Sequence, residues 1–219
     1  MTLEVPVPNI GLQRTSACGL AAEAGSFGRV GHRYLNLVAV VICLLAASRV
    51  GSAVEGPAPE GCHWERIPEV KVTLAMPDGW VFRKVSDARN LLVYTATPGG
   101  PDAPANPKTR YELRIQRGLP PKSVVLIAKT FVESALAGSA ETAPVEEQQR
   151  GVMSLFAGVA EIKPNLVGVP QLTVAASSLA NARTGTLYTI RIDIPADELQ
   201  AIQPHANAIF RTITVDDEI

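Results

Sequence analysis

The residues of this chain that could carry chemistry are few and poorly grouped. Cys62, His63 and Glu65 supply a thiolate, an imidazole and a carboxylate, which are three of the ligand types that bind zinc. A structural zinc site normally takes four protein ligands at defined spacings, and three candidates within four residues do not provide that set. We therefore predict no metal site and expect Cys62 to be incidental to an exposed segment.

The constellations of known catalytic sites are also missing. A Ser-His-Asp arrangement needs a histidine beside a nucleophile and an orienting carboxylate, and only His63 and His205 follow residue 53. The chain has no phosphate-binding or dinucleotide-binding glycine loop, no His-Glu-x-x-His and no Gly-x-Ser-x-Gly. We predict no catalytic, cofactor-binding or metal-binding residues, and therefore a protein that is not an enzyme.

The remaining candidates are two acidic runs and one aromatic pair. Glu146–Glu147 and Asp216–Glu218 are adjacent like charges, whereas a catalytic carboxylate pair needs opposed positions in a cleft. Both runs are therefore predicted to be solvated surface. Trp80 and Phe82 could line a ligand pocket, but large aromatics beside a turn are more often part of a core, and we predict that role.

The composition limits the class of protein. A chain of 219 residues with 47% hydrophobic and 19% charged residues fits one domain plus a targeting segment. The formal charge of −1 argues against a nucleic-acid-binding surface. Three cysteines are too few for a disulfide scaffold.

An apolar segment marks the N-terminal region. The residues Leu37–Ala47 are eleven consecutive apolar residues, whereas a membrane-spanning helix needs about 20. Arg29 and Arg33 precede this segment and the small residues Gly51–Ala53 follow it, as in a secretory signal peptide. A buried core helix is the alternative interpretation. We predict that residues 1–53 are a presequence containing a signal peptide.

This presequence predicts an exported protein, periplasmic or extracellular, that does not span the membrane after processing. Cleavage follows Ala53, with Ser48 as the other candidate, and translation is expected to start at Val30. No cysteine stands directly after the apolar segment, so we predict no lipid anchor. Beyond residue 53 the chain carries 16 basic and 19 acidic residues, a net charge of −3.

The mature chain is predicted to be a linker, residues 54–69, followed by a single α+β domain, residues 70–219. Prolines and the lack of alternation indicate the linker. In Arg110–Gln116 the apolar side chains alternate with charged ones, which is typical of an antiparallel sheet with one buried face. Similar patterns predict strands at Val70–Met76, Leu91–Thr97, Leu172–Ser178, Gly185–Ile194 and Thr212–Val215, the last as an edge strand.

Two helices are predicted. The first has Ser123 as its N-cap and ends near Gly138. Its apolar face consists of Val124, Ile127, Ala128, Phe131, Val132 and Ala135. The second begins at Pro195 and is kinked or divided by Pro204. The segment Glu141–Glu161 is compatible with a third helix, although its two glycines weaken that interpretation.

Residues 70–215 resemble PsbP-like domains. The resemblance lies in the segment Leu74–Trp80, with its Pro-Asp-Gly-Trp turn, and in Gly185–Ile194 followed by Ala196–Val215. It implies an α/β/α sandwich in which helices cover an antiparallel sheet. Members of that family mostly act by binding partners, and many are exported domains. No functional residue of the family carries over to this chain.

We therefore expect an exported, non-enzymatic protein-interaction or accessory domain. Its partner is expected to be another envelope or secreted protein, and neither nucleic acid nor a cofactor is expected. The alternative is a carrier that holds a small apolar ligand in a pocket between sheet and helix. Purified protein with extractable ligand would favour the carrier.

Overall fold

The computed structural model describes residues 49–50, 56–99, 108–139, 144–163, 171–216 and 218. The apolar segment of the predicted signal peptide and Val30 lie outside these residues, so the presequence stays a prediction. Of residues 1–53, only Arg49–Val50 is described.

The larger sheet has seven antiparallel strands in the order β4-β5-β6-β10-β9-β8-β7. These strands are β4 (Val81–Ala88), β5 (Leu91–Thr97), β6 (Arg110–Gln116), β7 (Glu146–Arg150), β8 (Met153–Ile162), β9 (Leu172–Asn181) and β10 (Thr186–Pro195). The predicted strands Leu91–Thr97 and Arg110–Gln116 have the bounds that the alternation indicated. The predicted pair Leu172–Ser178 and Gly185–Ile194 is the β9–β10 hairpin, with Gly185 in its turn.

A smaller sheet corrects the linker prediction. Its order is β1-β11-β3-β2, and its strands are β1 (Arg49–Val50), β2 (Cys62–Ile67), β3 (Val72–Pro77) and β11 (Thr214–Val215). Residues 54–69 are therefore not a linker throughout, because β2 pairs with β3 along its whole length. The prolines that suggested a linker lie outside β2, on both sides of it. β11 lies between β1 and β3, but β1 falls within the predicted presequence, so cleavage after Ala53 would leave β11 as the edge strand that the sequence predicts.

Helix α1 (Pro121–Ala135) begins earlier than predicted. Pro120 occupies the N-cap position and Ser123 lies inside the helix, so the predicted Ser123 cap is wrong. Pro121 at the first helical position has a fixed φ suited to a helix start, which removes the need for a side-chain cap. The helix buries Val124, Ala128, Val132 and Ala135 as the periodicity indicated, whereas Ile127 of the predicted face is exposed.

Helix α2 (Leu199–Thr212) begins four residues after Pro195, which instead ends β10. Pro204 lies inside α2 without dividing it, close enough to the first turn that few helical hydrogen bonds precede it. At the other end, Thr212 Oγ1 accepts a hydrogen bond of 2.8 Å from the Ala75 amide of β3. This bond fixes the end of α2 against the smaller sheet.

Within the ambiguous segment Glu141–Glu161, the described residues from Glu146 onward form a β-hairpin rather than a helix. Strands β7 and β8 pair from Glu146 with Ala157 to Arg150 with Met153, and the left-handed φ of Gly151 makes the turn. β8 is buried on both faces, so its apolar residues do not alternate with polar ones. A short apolar run of this kind has no period that separates a strand from a helix.

The chain forms three layers, and the α+β class is confirmed. Helix α1 packs on one face of the larger sheet, over β8, β9 and β10. On the inner face, the larger core is built from alternate residues of the seven-stranded sheet, the smaller sheet and α2. A separate core lies beneath α1. Within the described residues, no helix is long and apolar enough to cross a membrane.

Two buried tyrosines give a first prediction. The hydroxyls of Tyr111 and Tyr188 are buried in the larger core and have no hydrogen-bond partner among the described residues. An unsatisfied buried hydroxyl costs stability, so Tyr111→Phe and Tyr188→Phe should leave the free energy of unfolding unchanged or raise it by up to about 1 kcal/mol. The control is Tyr94→Phe, which should lower it, because the Tyr94 hydroxyl donates to Glu69 Oε1 at 2.7 Å. Urea denaturation of the three variants compares these effects.

A second prediction concerns acid stability. The carboxylate of Glu69 accepts hydrogen bonds from Lys84 Nζ at 2.7 Å and from Tyr94, and these bonds lower the pKa of Glu69 to about 2. A carboxyl whose pKa falls on folding stabilises the native state above its unfolded value of 4.5, and that contribution is lost as the pH falls toward 2. Glu69→Gln should therefore lower the melting temperature at pH 7, with a difference that shrinks below pH 4.5.

The control for this experiment is Glu60→Gln, since Glu60 is exposed. Its melting curve should follow the wild type at every pH. An equal effect of Glu69→Gln at pH 7 and pH 2 would contradict the proposed role of the ionised carboxylate.

Candidate protein-interaction surface

Of the residues with metal-ligand chemistry, the structure brings His63 and Glu65 together and separates Cys62 from them. His63 is exposed, with Nδ1 3.1 Å from Asp78 Oδ1 and Nε2 3.8 Å from Glu65 Oε2. Cys62 precedes it on β2, where successive side chains point to opposite faces. Partial burial, followed by the negative charge of Asp78, raises the pKa of the Cys62 thiol. In the part of the chain that the structure describes, no three His, Cys, Asp or Glu residues are grouped to hold a metal ion.

The other candidates from the sequence lie apart from one another. His205 is on α2, with its ring 6.3 Å from that of Trp80. Trp80 and Phe82 are partly buried against the larger core, as predicted, and Phe82 stacks on Tyr94.

The two acidic runs lie in different parts of the fold. Glu146–Glu147 lies on β7, an edge strand of the larger sheet. Asp216 is 3.0 Å from Lys71 Nζ, and its pKa is lowered by a backbone hydrogen bond from Glu218 and by Lys71. Asp217 lies outside the described residues, and Glu218 is exposed.

A cleft of about 490 Å³ lies between α2 and the inner face of the larger sheet. This is the place where the carrier interpretation put its pocket. Its apolar floor includes Val159 and Phe210, but Gln203 and Asn207 of α2 line it as well. Across from them, Glu161 accepts a hydrogen bond of 2.7 Å from Gln171. The polar groups in its lining differ from what the small apolar ligand of the carrier interpretation would need.

The most distinctive surface is the outer face of the larger sheet beside α1. Because α1 packs over β8, β9 and β10, the outer face of β4, β5 and β6 has no helix over it within the described residues. We call this surface, together with the adjoining outward side chains of β10, the open face. Its charged residues are Arg83, Arg110, Glu112, Arg114, Arg191 and Asp193.

The strand register arranges these residues in rows across the sheet. Glu112 lies between Thr95 of β5 and Arg191 of β10, and Arg83 of β4 lies on the far side of Thr95. In the next row along β6, Arg110 is opposite Asp193. Opposite charges therefore face each other across β6 and β10, as stabilising cross-strand pairs do.

The side chains of the open face also pair along the strands. Glu112 Oε1 is 2.6 Å from Arg114 Nε, and Glu112 Oε2 is 3.0 Å from Arg110. On β10, Arg191 Nε is 2.7 Å from Asp193 Oδ1. The Glu112 side chain is only 16% exposed, whereas those of Arg110 and Arg114 are 58% and 52% exposed. The carboxylates are thus sheltered among guanidinium groups that extend into solvent.

The sequence indicated part of this surface. The alternation in Arg110–Gln116 predicted that Arg110, Glu112 and Arg114 share one face. It did not show that Arg83 and Arg191, distant along the chain, lie in the same row as Glu112. Only strand pairing brings them together, and no local pattern could have identified that row.

The fold and this surface define a class of protein, an α+β sandwich with half of one sheet face left open. No protein-family model matches the chain, and no curated protein sequence matches it. Among solved structures, cyanobacterial PsbP from Synechocystis sp. PCC 6803 is similar at 13% identity, with a TM-score of 0.44, over 75% of this chain and 98% of that one.

Two further structures are similar to this chain. LpqN of Mycobacterium tuberculosis, described as involved in cell envelope biogenesis, is 18% identical, with a TM-score of 0.44, over 66% of this chain and 83% of its own. The Saccharomyces cerevisiae Ran-binding protein Mog1p is 12% identical, with a TM-score of 0.39, over 68% of this chain and 86% of its own. The PsbP-like resemblance is confirmed as a likeness of fold, and it is a weak one.

Proposed function

We propose that this chain is an exported, non-enzymatic accessory domain that binds another envelope or secreted protein through the open face. The observation that carries the proposal is that, among the described residues, no helix covers the outer face of β4, β5 and β6, next to the part of the same sheet that α1 covers. Within this face β5 and β6 are paired on both sides, so their backbone is held rigidly and can bind a partner without rearranging.

The side chains of the open face suit a protein partner. Val93 is half-buried in the row that also contains Arg114 and Thr189, so aliphatic surface is interleaved with guanidinium groups. Arginine is enriched in protein interfaces because its planar group combines charge with packing area. At the margin of this face, Val85 is 56% exposed on the edge strand β4.

The proposal that the chain is not an enzyme rests on the ion pairs of the carboxylates and on the raised pKa of the Cys62 thiol. Glu112 and Asp193, the carboxylates of the open face, each pair with arginine. Cys62 has a raised thiol pKa, which disfavours the reactive thiolate. These groups therefore serve the surface and the fold rather than forming an acid-base or nucleophilic pair.

Export is supported by the apolar segment Leu37–Ala47 and the basic and small residues on either side of it. Cell fractionation followed by N-terminal sequencing of the native protein tests this. We expect protein in the envelope or medium fraction that begins at Val54, or at Arg49 if cleavage follows Ser48. Full-length protein retained in the cytosol would contradict export.

Partner binding through the open face is tested by site-specific photo-crosslinking in the cell of origin. Benzoylphenylalanine is placed at Thr95, on the open face, and in a matched control at Leu126, the solvent side of α1. We expect a discrete protein adduct from Thr95 and none from Leu126. Adducts of the same kind from both positions, or none from Thr95, would contradict the proposal.

A second candidate function is favoured by the cleft beneath α2. Its volume of about 490 Å³ is in the range of small-molecule sites, which are about 300–1,000 Å³. Gln203, Asn207 and Glu161 in its lining suit a ligand with both apolar and hydrogen-bonding groups. Extraction of the purified protein, followed by mass spectrometry, should release such a ligand at a fixed ratio to protein if the chain is a carrier. The same crosslinker at Gln200 would then label a small molecule.

A further inference from the structure

We propose that the partner segment bound by the open face is acidic, with aspartate or glutamate carboxylates that pair with Arg110 and Arg114. This inference rests on the proposed function and adds the chemistry of the partner. It is carried by the net charge of the open face and by the exposure and hydrogen-bonding capacity of its arginines.

The charge of the open face is opposite to that of the domain. Four arginines stand against the two carboxylates of Glu112 and Asp193, so the face has a net charge of +2. The chain beyond residue 53 has a net charge of −3. A local excess of positive charge on an otherwise acidic protein attracts a segment of negative charge and orients it toward that face.

The arginines retain free hydrogen-bonding capacity. Each guanidinium group has five N–H donors, and the ion pairs of Arg110 and Arg114 are both made to the single carboxylate of Glu112. The side chains of Arg110 and Arg114 are more than half exposed, while that of Glu112 is largely covered. Donors are therefore available above the sheet, in the planar arrangement that binds a carboxylate through two parallel hydrogen bonds.

The spacing of the arginines suits an extended segment. Arg110 and Arg114 both contact the carboxylate of Glu112, at 3.0 and 2.6 Å, so their guanidinium groups converge above the middle of β6. Residues i and i+2 of an extended partner share one face and lie about 7 Å apart, so their carboxylates can reach this pair of guanidinium groups. Arg191 and Arg83 flank Glu112 in the row between them, so positive charge continues to both sides.

Protein carboxylates are favoured over nucleic acid or a lipid surface. A polyphosphate or an anionic membrane extends well beyond the open face and would meet the excess negative charge of the remaining domain. A short acidic segment covers only the face itself. The small size of the positive patch therefore favours a protein segment as the partner.

The test measures binding of a fluorescein-labelled polyglutamate peptide to the purified protein by fluorescence anisotropy. The open-face variant is Arg110→Glu with Arg114→Glu. The matched control is Lys122→Glu with Lys129→Glu, which makes the same change in net charge at exposed positions of α1. We expect saturable binding to the wild type, a loss of about tenfold or more in affinity for the open-face variant, and a much smaller change for the control. The affinity of the wild type should fall as salt is raised to about 0.15 M.

Equal losses in the two variants would overturn the inference, because they would show a response to net charge alone. Absence of polyglutamate binding would overturn it too, and so would tighter binding of heparin or of phosphatidylserine vesicles than of polyglutamate. A different result would contradict the proposed function, namely the absence of a protein adduct from Thr95. A protein adduct from Thr95 without polyglutamate binding leaves the open face as an interface and removes only the acidic partner.

Discussion

An aspartate in place of Val132 should lower the free energy of unfolding by about 3 to 5 kcal/mol, a large part of the stability of a single domain. Val132 is fully buried in the core beneath α1, where it lies close to Gly158 of β8. A carboxylate at that position would lose its water and gain no cationic partner from the apolar side chains of that core. The change would loosen α1 from the sheet.

The control is Leu126→Asp on the same helix. Leu126 is 67% exposed, on the solvent side of α1, so this change should alter the free energy of unfolding by no more than about 0.5 kcal/mol. Urea denaturation of both variants, followed by circular dichroism, gives the comparison. A Val132→Asp protein as stable as the Leu126→Asp protein would refute the packing of α1 on β8 and β9.

Replacing Gly185 with alanine should lower the free energy of unfolding by about 2 to 5 kcal/mol, because two costs add. Gly185 has a φ of +69° in the turn between β9 and β10, a conformation that an L-residue adopts only at a cost. A Cβ atom there would also overlap the carbonyl oxygen of Leu119. Leu119 has little freedom to move, since its amide donates to the Gly185 carbonyl at 3.0 Å.

Gly151 provides the matched control for the Gly185→Ala substitution. It has a similar φ of +57°, in the turn between β7 and β8, but a Cβ atom there would meet nothing within 4 Å. Gly151→Ala should therefore cost only the backbone strain, about 1 to 2 kcal/mol. Equal losses of stability in the two variants, measured by urea denaturation, would show that the contact between Gly185 and Leu119 does not constrain the turn.

Changes to the open face should separate binding from folding. Arg110 and Arg114 are exposed, and exposed ion pairs contribute about 0 to 1 kcal/mol each. We therefore expect their substitution to remove the charge that the inference requires while the domain still folds, and circular dichroism of the variant checks that it does. In contrast, Val132 and Gly185 act through the fold and report on it alone.

Strands with a regular pattern were predicted well from the sequence. In β6, apolar and charged residues alternate because one side faces the larger core and the other the open face, so the period of two is complete. β5 alternates in the same way, whereas the β9–β10 hairpin is largely buried on both faces and was predicted from the β-branched residues of β10 and the polar turn. The buried face of α1 was also predicted, because its apolar residues recur at helical spacing.

The errors have separate physical causes. β2 lies among prolines and is stabilised by its pairing with β3, which is a contact with residues outside its own sequence. β8 is buried between α1 and the larger core, so it has no polar face and its pattern fits either a strand or a helix. The start of α1 depended on Pro121, whose fixed backbone angle replaced the expected cap at Ser123.

The sequence by itself determined the α+β class, the main strands, the buried face of α1 and the scarcity of reactive groups, because each of these depends on residue types and local periodicity. Tertiary structure alone decided which half of the larger sheet α1 covers and which polar side chains share the uncovered half. Arg83, Glu112 and Arg191 occupy one row because backbone hydrogen bonds pair strands that are far apart in the chain. Strand pairing is a long-range property, and for that reason the open face becomes visible only in the folded domain.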